Sequence, residues 1–147
     1  LVVTKILVPL DGSTYADKAL KYAVEIAKKF NATLTLVHVI VEPPPLVSGA
    51  AAPEAIPFLP QMHTVREELG KKILAKGEET VKSMGLQADT VLESGHPSEI
   101  IINTAKNRGI DLIVVGSRGV GGIKGFFLGS VSDKVSHHAP CPVLIVR

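Results

Sequence analysis

Short apolar, β-branched runs alternate with longer stretches of helical periodicity along the whole chain. That alternation leaves few folds open, chief among them a parallel sheet whose strands are joined by covering helices. Residues 6–10 form the first run, and over 13–30 Ala16, Ala19, Leu20, Ala23, Ile26 and Ala27 recur at helical spacing until Asn31 ends the helix. Residues 33–40 are β-branched and apolar, hence a second strand, and 61–84, rich in Lys and Glu, carry a long helix. A short third strand contains 90–93. Pro97 falls where a first helical turn tolerates proline, and the helix through Ile100, Ile101, Ala105 and Arg108 stops at Gly109, a good C-cap. Asp111-Leu-Ile-Val-Val-Gly116 is a fourth strand of the kind a parallel sheet buries on both faces; a helix opens at Ser130, and 143–146 is the fifth strand.

Between the fourth strand and the last helix lies Gly116-Ser-Arg-Gly119-Val-Gly-Gly-Ile-Lys-Gly-Phe-Phe-Leu-Gly129-Ser130, which reads as a split phosphate cradle. Glycines allow close backbone approach and positive φ where needed. Ser130 and Asp133 have capping-box-like spacing, so the unpaired N–H groups and positive dipole end of that helix would face the same loop. A polyphosphate fits there. Two better-known phosphate motifs fail on the letters: a P-loop needs Gly-Lys followed by Ser or Thr, where this chain has Lys124-Gly125-Phe126. A dinucleotide fingerprint starting at Gly119 and Gly121 would need a third glycine where Lys124 stands.

The remaining pattern, G-x2-G-x9-G-[ST] on Gly116, Gly119, Gly129 and Ser130, resembles the ATP-binding branch of the universal stress protein family. The opening Lys5-Ile-Leu-Val-Pro-Leu-Asp-Gly-Ser13, the Gly95-His-Pro97 turn and the ending His138-Ala-Pro-Cys-Pro-Val-Leu-Ile-Val-Arg147 are similar to that family too, so the likeness is interrupted mainly at 42–61. It implies one adenine nucleotide-binding domain over 1–147 that acts as a nucleotide-responsive regulatory or stress-protection module. Its ligands would be ATP, with AMP or ADP as further candidates, and Mg²⁺ held mainly by the phosphates. It also implies a homodimer through strand 143–146, whose open edge a second copy would cover.

In doubly wound sheets a ligand sits outside the carboxyl ends of the strands, where the winding reverses. If the loop 9–13 and the glycine loop touch one nucleotide, strands one and four are neighbours, and right-handed crossovers give the order 3-2-1-4-5. Asp11 then accepts from ribose hydroxyls or holds a hydrated Mg²⁺, although it repels phosphate placed too near; capping the next helix is its other role, with Ser13 as the competing cap. Arg118 and Lys124 could neutralise phosphate charge from the loop, and Gly121, Gly122 and Gly125 would lend it mobility. By resemblance, Val39 presents backbone groups to adenine, and Pro9 and Val115 frame the base and ribose. Val131 and Ser132 continue the phosphate-facing helix start, and the Ser132 hydroxyl could reach a terminal phosphate.

Composition narrows the rest. With 147 residues, 46% of them hydrophobic, the chain is long enough to bury one real core. A net charge of +2 without a long basic run argues against nucleic acid as the main ligand. No apolar stretch is long enough to cross a bilayer, and a cytoplasmic location is expected. The lone Cys141, between Pro140 and Pro142, fits a reducing compartment and reads as a small hydrophobe. His38, His63, His96, His137 and His138 make no zinc spacing, and consecutive helical histidines point about 100° apart. Six of the ten prolines fall in 41–60, which is expected to be a loop whose apolar Leu46, Val47, Ile56, Phe58 and Leu59 cover the adenine, a second subunit or a client protein. Two other functions stay open: a slow Mg-dependent ATPase timer, for which no residue to activate water stands out, and a protein-interaction module in which nucleotide is only structural.

Overall fold

Nine elements follow one another in the computed structural model, which describes residues 2–42, 59–120 and 128–147. They are β1 (Lys5–Pro9), α1 (Thr14–Phe30), β2 (Thr33–Val41), α2 (Leu59–Ser83), β3 (Ala88–Gly95), α3 (Pro97–Arg108), β4 (Leu112–Gly116), α4 (Ser130–His138) and β5 (Val143–Val146). The five strands form one parallel sheet in the expected order β3-β2-β1-β4-β5.

Strand alternation sorts the core into two layers. Ile6, Val8, Leu34, Leu36 and Val114 face α1 and α2, where Ala16, Ala19, Leu20, Ala23, Val24, Leu74 and Val81 meet them. Leu7, Val37, Val39, Ile113 and Val115 face α3 and α4, against Ile101, Ala105 and Val135. The central strands therefore read as continuous apolar runs because both their faces are covered. Two helical glycines set how close α2 can come: a Cβ at Gly77 would lie 2.5 Å from Leu10 Cδ1, and one at Gly70 would lie 2.7 Å from His38 Cδ2.

Caps explain the helix ends. Ser13 accepts the Ala16 amide at 3.1 Å, so it, rather than Asp11, is the α1 N-cap, and Asn31 closes the helix in the left-handed region at φ 54°. Gly109 does the same for α3 at φ 63°. Most boundaries fall within a residue of the sequence expectation, and those of β3, β2 and α2 have a physical reason for differing. The third strand runs over Ala88–Gly95, well beyond 90–93, because an edge strand keeps polar residues such as Asp89, Thr90 and Glu93 on its exposed positions and so hides its length. Val41 still belongs to β2, and Leu59 and Pro60 already belong to α2, since a proline in the first helical turn removes no intrahelical bond. The rest of the proline-rich segment, with Leu46, Val47, Ile56 and Phe58, lies outside the described residues.

At the end of the sheet remote from the loops, Asp111 clips β1 to the start of β4. Its carboxylate accepts the Thr4 hydroxyl at 2.7 Å, the Thr4 amide at 3.0 Å and the Lys5 amide at 3.1 Å. Partial burial pushes this carboxyl up, but the hydrogen bonds from Thr4 and Lys5 outweigh it and hold the group below its ordinary value. Burial likewise pushes the Cys141 thiol up, with the Asp111 charge adding to it, so Cys141 is a packing residue against the α3–α4 layer.

A group titrating lower in the folded chain stabilises it above its unfolded value, and that contribution is lost as pH falls through the folded value. Asp111→Asn is therefore expected to lower stability in urea at pH 7 by about 1 kcal/mol. The gap to the parent chain should close as pH drops below about 4, measured by denaturation across pH.

Candidate functional site

The loops after β1 and β4 meet at the carboxyl end of the sheet, where the winding reverses. Parallel pairing places Pro9 beside Val37, and Val39 lies two residues further along β2. Val115 and Val39 share the α3–α4 layer and are 6% and 9% exposed, so both are core residues near the carboxyl ends of their strands. Pro9, Asp11, Val39, Val115, Gly116, Arg118, Gly119, Gly129, Ser130, Val131 and Ser132 thus come to one end of the molecule. Gly121, Gly122, Lys124 and Gly125 lie outside the described residues.

Within the site the glycines do three different things. A Cβ at Gly116 would stand 2.8 Å from the Tyr15 carbonyl carbon, 2.9 Å from Tyr15 Cβ and 3.0 Å from the Ala16 nitrogen, so this glycine is demanded by the first turn of α1. At Gly129 a Cβ would meet Arg118 Cα at 3.3 Å and Ser117 O at 3.4 Å, which brings the start of α4 against the loop. At Gly119 it would meet only a side chain, Asp11 Oδ2 at 2.7 Å. None of the three has positive φ, so space rather than backbone conformation selects them.

Ser117 holds the frame together. Its amide donates to Val146 O at 2.7 Å, while its carbonyl accepts the Gly129 amide at 2.7 Å and the Ser132 hydroxyl at 3.0 Å. Ser132, only 2% exposed, also points its hydroxyl at Gly129 O, 3.0 Å away. Its side chain is therefore engaged in fastening α4 to β4, in place of the free hydroxyl expected from the sequence. The capping-box reading of Ser130 is corrected as well. Gly129 is the N-cap without a side-chain cap bond, and Ser130 is the exposed first helical residue. The first intrahelical bond runs from the Asp133 amide to Gly129 O, so the amides of Ser130, Val131 and Ser132 precede it at the positive end of α4.

Asp11 joins the two loops. Its Oδ1 accepts the Ser13 amide at 2.9 Å and its Oδ2 the Val120 amide at 3.3 Å. A main-chain amide of the glycine loop is thus already turned toward an anionic oxygen, and the cradle is one that a Cβ at Gly119 would crowd; both fit a phosphate-bearing ligand. Arg118 sits with its guanidinium carbon 5.8 Å from the Tyr15 ring centroid, a cation–π distance. Among the described residues no cluster of three or more His, Cys, Asp or Glu side chains could hold a metal ion.

Three contributors escaped sequence reasoning: Ser117, Tyr15 and His38. The His38 ring donates from Nδ1 to Leu10 O at 2.7 Å, which fixes the backbone just before Asp11. Its one sequence signal is an ionisable residue inside a strand of otherwise β-branched and apolar residues. His137 and His138 project from α4 with ring centroids 6.4 Å apart, and His137 bonds back to Asp133 O at 2.8 Å.

The description of the universal stress protein family matches residues 3–147. The chain belongs to that family. The universal stress protein YxiE of Bacillus subtilis is 43% identical over 145 residues, covering 97% of this chain and 98% of that one. Universal stress protein UspA from Lactobacillus plantarum superposes with a TM-score of 0.85 at 30% identity, over 100% of this chain and 99% of its own. A universal stress protein solved in complex with cAMP gives a TM-score of 0.73 at 25% identity, over 100% of this chain and 99% of that one. Family membership extends over the strands, the Asp11 loop and the described parts of the glycine loop alike.

Because the Gly116 contacts are with backbone, Gly116→Ala should cost about 1–3 kcal/mol and lower the melting temperature. Gly119→Ala, whose Cβ meets only the movable Asp11 carboxylate, should keep the parent's melting behaviour to within about 0.5 kcal/mol. Thermal unfolding of the two variants side by side checks the contrast.

Proposed function

We propose that this universal stress protein binds an adenine nucleotide in the crevice between the β1–α1 and β4–α4 loops. ATP would be the principal ligand, with AMP and ADP as further ones, and the protein would work as a nucleotide-responsive regulatory or stress-protection module. The observation that carries this reading is the Val120 amide held toward an anionic oxygen where the loops after β1 and β4 meet. The cAMP complex of a family member with the same fold supports the choice of adenine. In this reading Pro9, Val39 and Val115 line the base and ribose, while Gly119 and Gly129 leave room for the phosphates and the amides of Ser130, Val131 and Ser132 receive them. Arg118 would leave Tyr15 to neutralise phosphate charge, and Mg²⁺ would be held mainly by the phosphates, with Asp11 within reach through water.

The proposal extends to a homodimer built on β5. This strand ends the sheet order, and Leu144 is 37% exposed on it, so a second copy would cover both an unpaired edge and apolar surface. A cytoplasmic place of action fits a chain whose one thiol, Cys141, is a packing residue. No helix among the described residues is long and apolar enough to cross a membrane.

Mass spectrometry of nucleotide released from the purified protein, with calorimetric titration of ATP in the presence and absence of Mg²⁺, tests the central reading. Bound or titratable ATP that is lost in Gly119→Asp supports it, and no binding of any adenine nucleotide at millimolar concentration overturns it. ATP retained without product marks a binder, whereas steady ADP release marks the slow ATPase. For the dimer, Leu144→Asp is expected to shift light scattering from a dimer toward a monomer with unchanged circular dichroism. A dimer of undiminished mass would rule out the β5 interface.

A further inference from the structure

Asp11 supplies the glycine loop with an anion of its own. Oδ2 lies 3.3 Å from the Val120 amide nitrogen, a long bond that an incoming oxygen can displace, while Oδ1 is fixed more tightly to the Ser13 amide at 2.9 Å. The absence of a side chain at Gly119 is what admits the carboxylate, since a Cβ there would lie 2.7 Å from Oδ2. Any ligand that brings a phosphate oxygen to the Val120 amide must break this bond and must also set its charge against a carboxylate that Ser13 keeps in place.

We propose that Asp11 is an internal competitor for the phosphate-binding amide and so sets the charge selectivity of the site. It disfavours bare polyphosphate relative to uncharged nucleoside, and a divalent cation on the phosphates relieves the penalty. The inference rests on the nucleotide reading above and adds to it a residue that decides which charge form enters. The alternative, that Asp11 is simply one more contact that strengthens binding, makes the opposite prediction for its neutral isostere.

Asparagine separates the two roles of this side chain. It has one acceptor oxygen, which can stay on the Ser13 amide, while its NH₂ group, a donor, then faces Val120 and cannot accept from it. Calorimetric titrations of the parent protein and Asp11→Asn with adenosine, AMP and ATP, all in EDTA, and with ATP in excess Mg²⁺ read the selectivity. The ratio of metal-free ATP affinity to adenosine affinity should rise about ten-fold in Asp11→Asn, and the AMP ratio by about three-fold. With Mg²⁺ the advantage of the variant should vanish or reverse, because the cation already compensates the charge and a carboxylate within its reach through water then favours the metal-loaded ligand. Amide hydrogen exchange at Val120 in the ligand-free protein should be faster in the variant, and exchange at Ser13 unchanged. An ATP-to-adenosine ratio in EDTA that is unchanged or lower in Asp11→Asn, in proteins that do bind adenosine, overturns the competitor role and leaves nucleotide binding intact. If neither protein binds any of the three ligands, the nucleotide reading falls, and this inference with it.

Discussion

The parallel pairing of β1 with β4 is the constraint on which the rest of the molecule depends. β1 leads to β2 in one direction and neighbours β4 in the other, so the two layers of helices separate around it, α1 and α2 on one face and α3 and α4 on the other. Each following loop must leave its strand toward a different helix, and the crevice between them is a by-product of that divergence. The contacts that tie the loops to the frame are short and made largely through backbone: Leu10 N to Val37 O at 2.8 Å, Ser117 N to Val146 O at 2.7 Å and Gly129 N to Ser117 O at 2.7 Å. A site assembled this way inherits the rigidity of the sheet, which is what a preorganised set of donors needs.

Much of this was legible in the letters because the central strands are apolar without alternation and the helices carry their own stop signals. Asn31 and Gly109 end α1 and α3 where their residue types allow left-handed backbone, and Ser13 begins α1 with a side chain that can cap. The strand order followed from asking which two polar loops must face one ligand. β3 reads short in the sequence for the opposite reason: an edge strand is only half committed to the core, so its polar residues dilute the pattern.

The site was legible as a set of residues and much less so as a set of roles. Spacing picks out Gly116, Gly119, Gly129 and Ser130 together, yet it cannot tell a glycine that makes room for a ligand from one that makes room for Tyr15. Ser132 reads as a ligand-facing hydroxyl because it follows a helix start, and its engagement with Ser117 O depends on a contact fifteen residues away in the chain. Ser117, Tyr15 and His38 escaped notice because their importance lies in tertiary packing and main-chain geometry, which leave no periodic trace.

The three motif glycines also differ in what could replace them over time. Gly116 lies against the main chain of Tyr15 and Ala16, and Gly129 against that of Ser117 and Arg118, so both are held by the requirement to fold. Gly119 abuts only a side-chain carboxylate. A lineage constrained only by folding would keep the first two and drift at the third, together with the aspartate opposite it. Retention of the outer glycines in a distant relative therefore testifies to the fold, and position 119 is the one that the backbone frame leaves free to change.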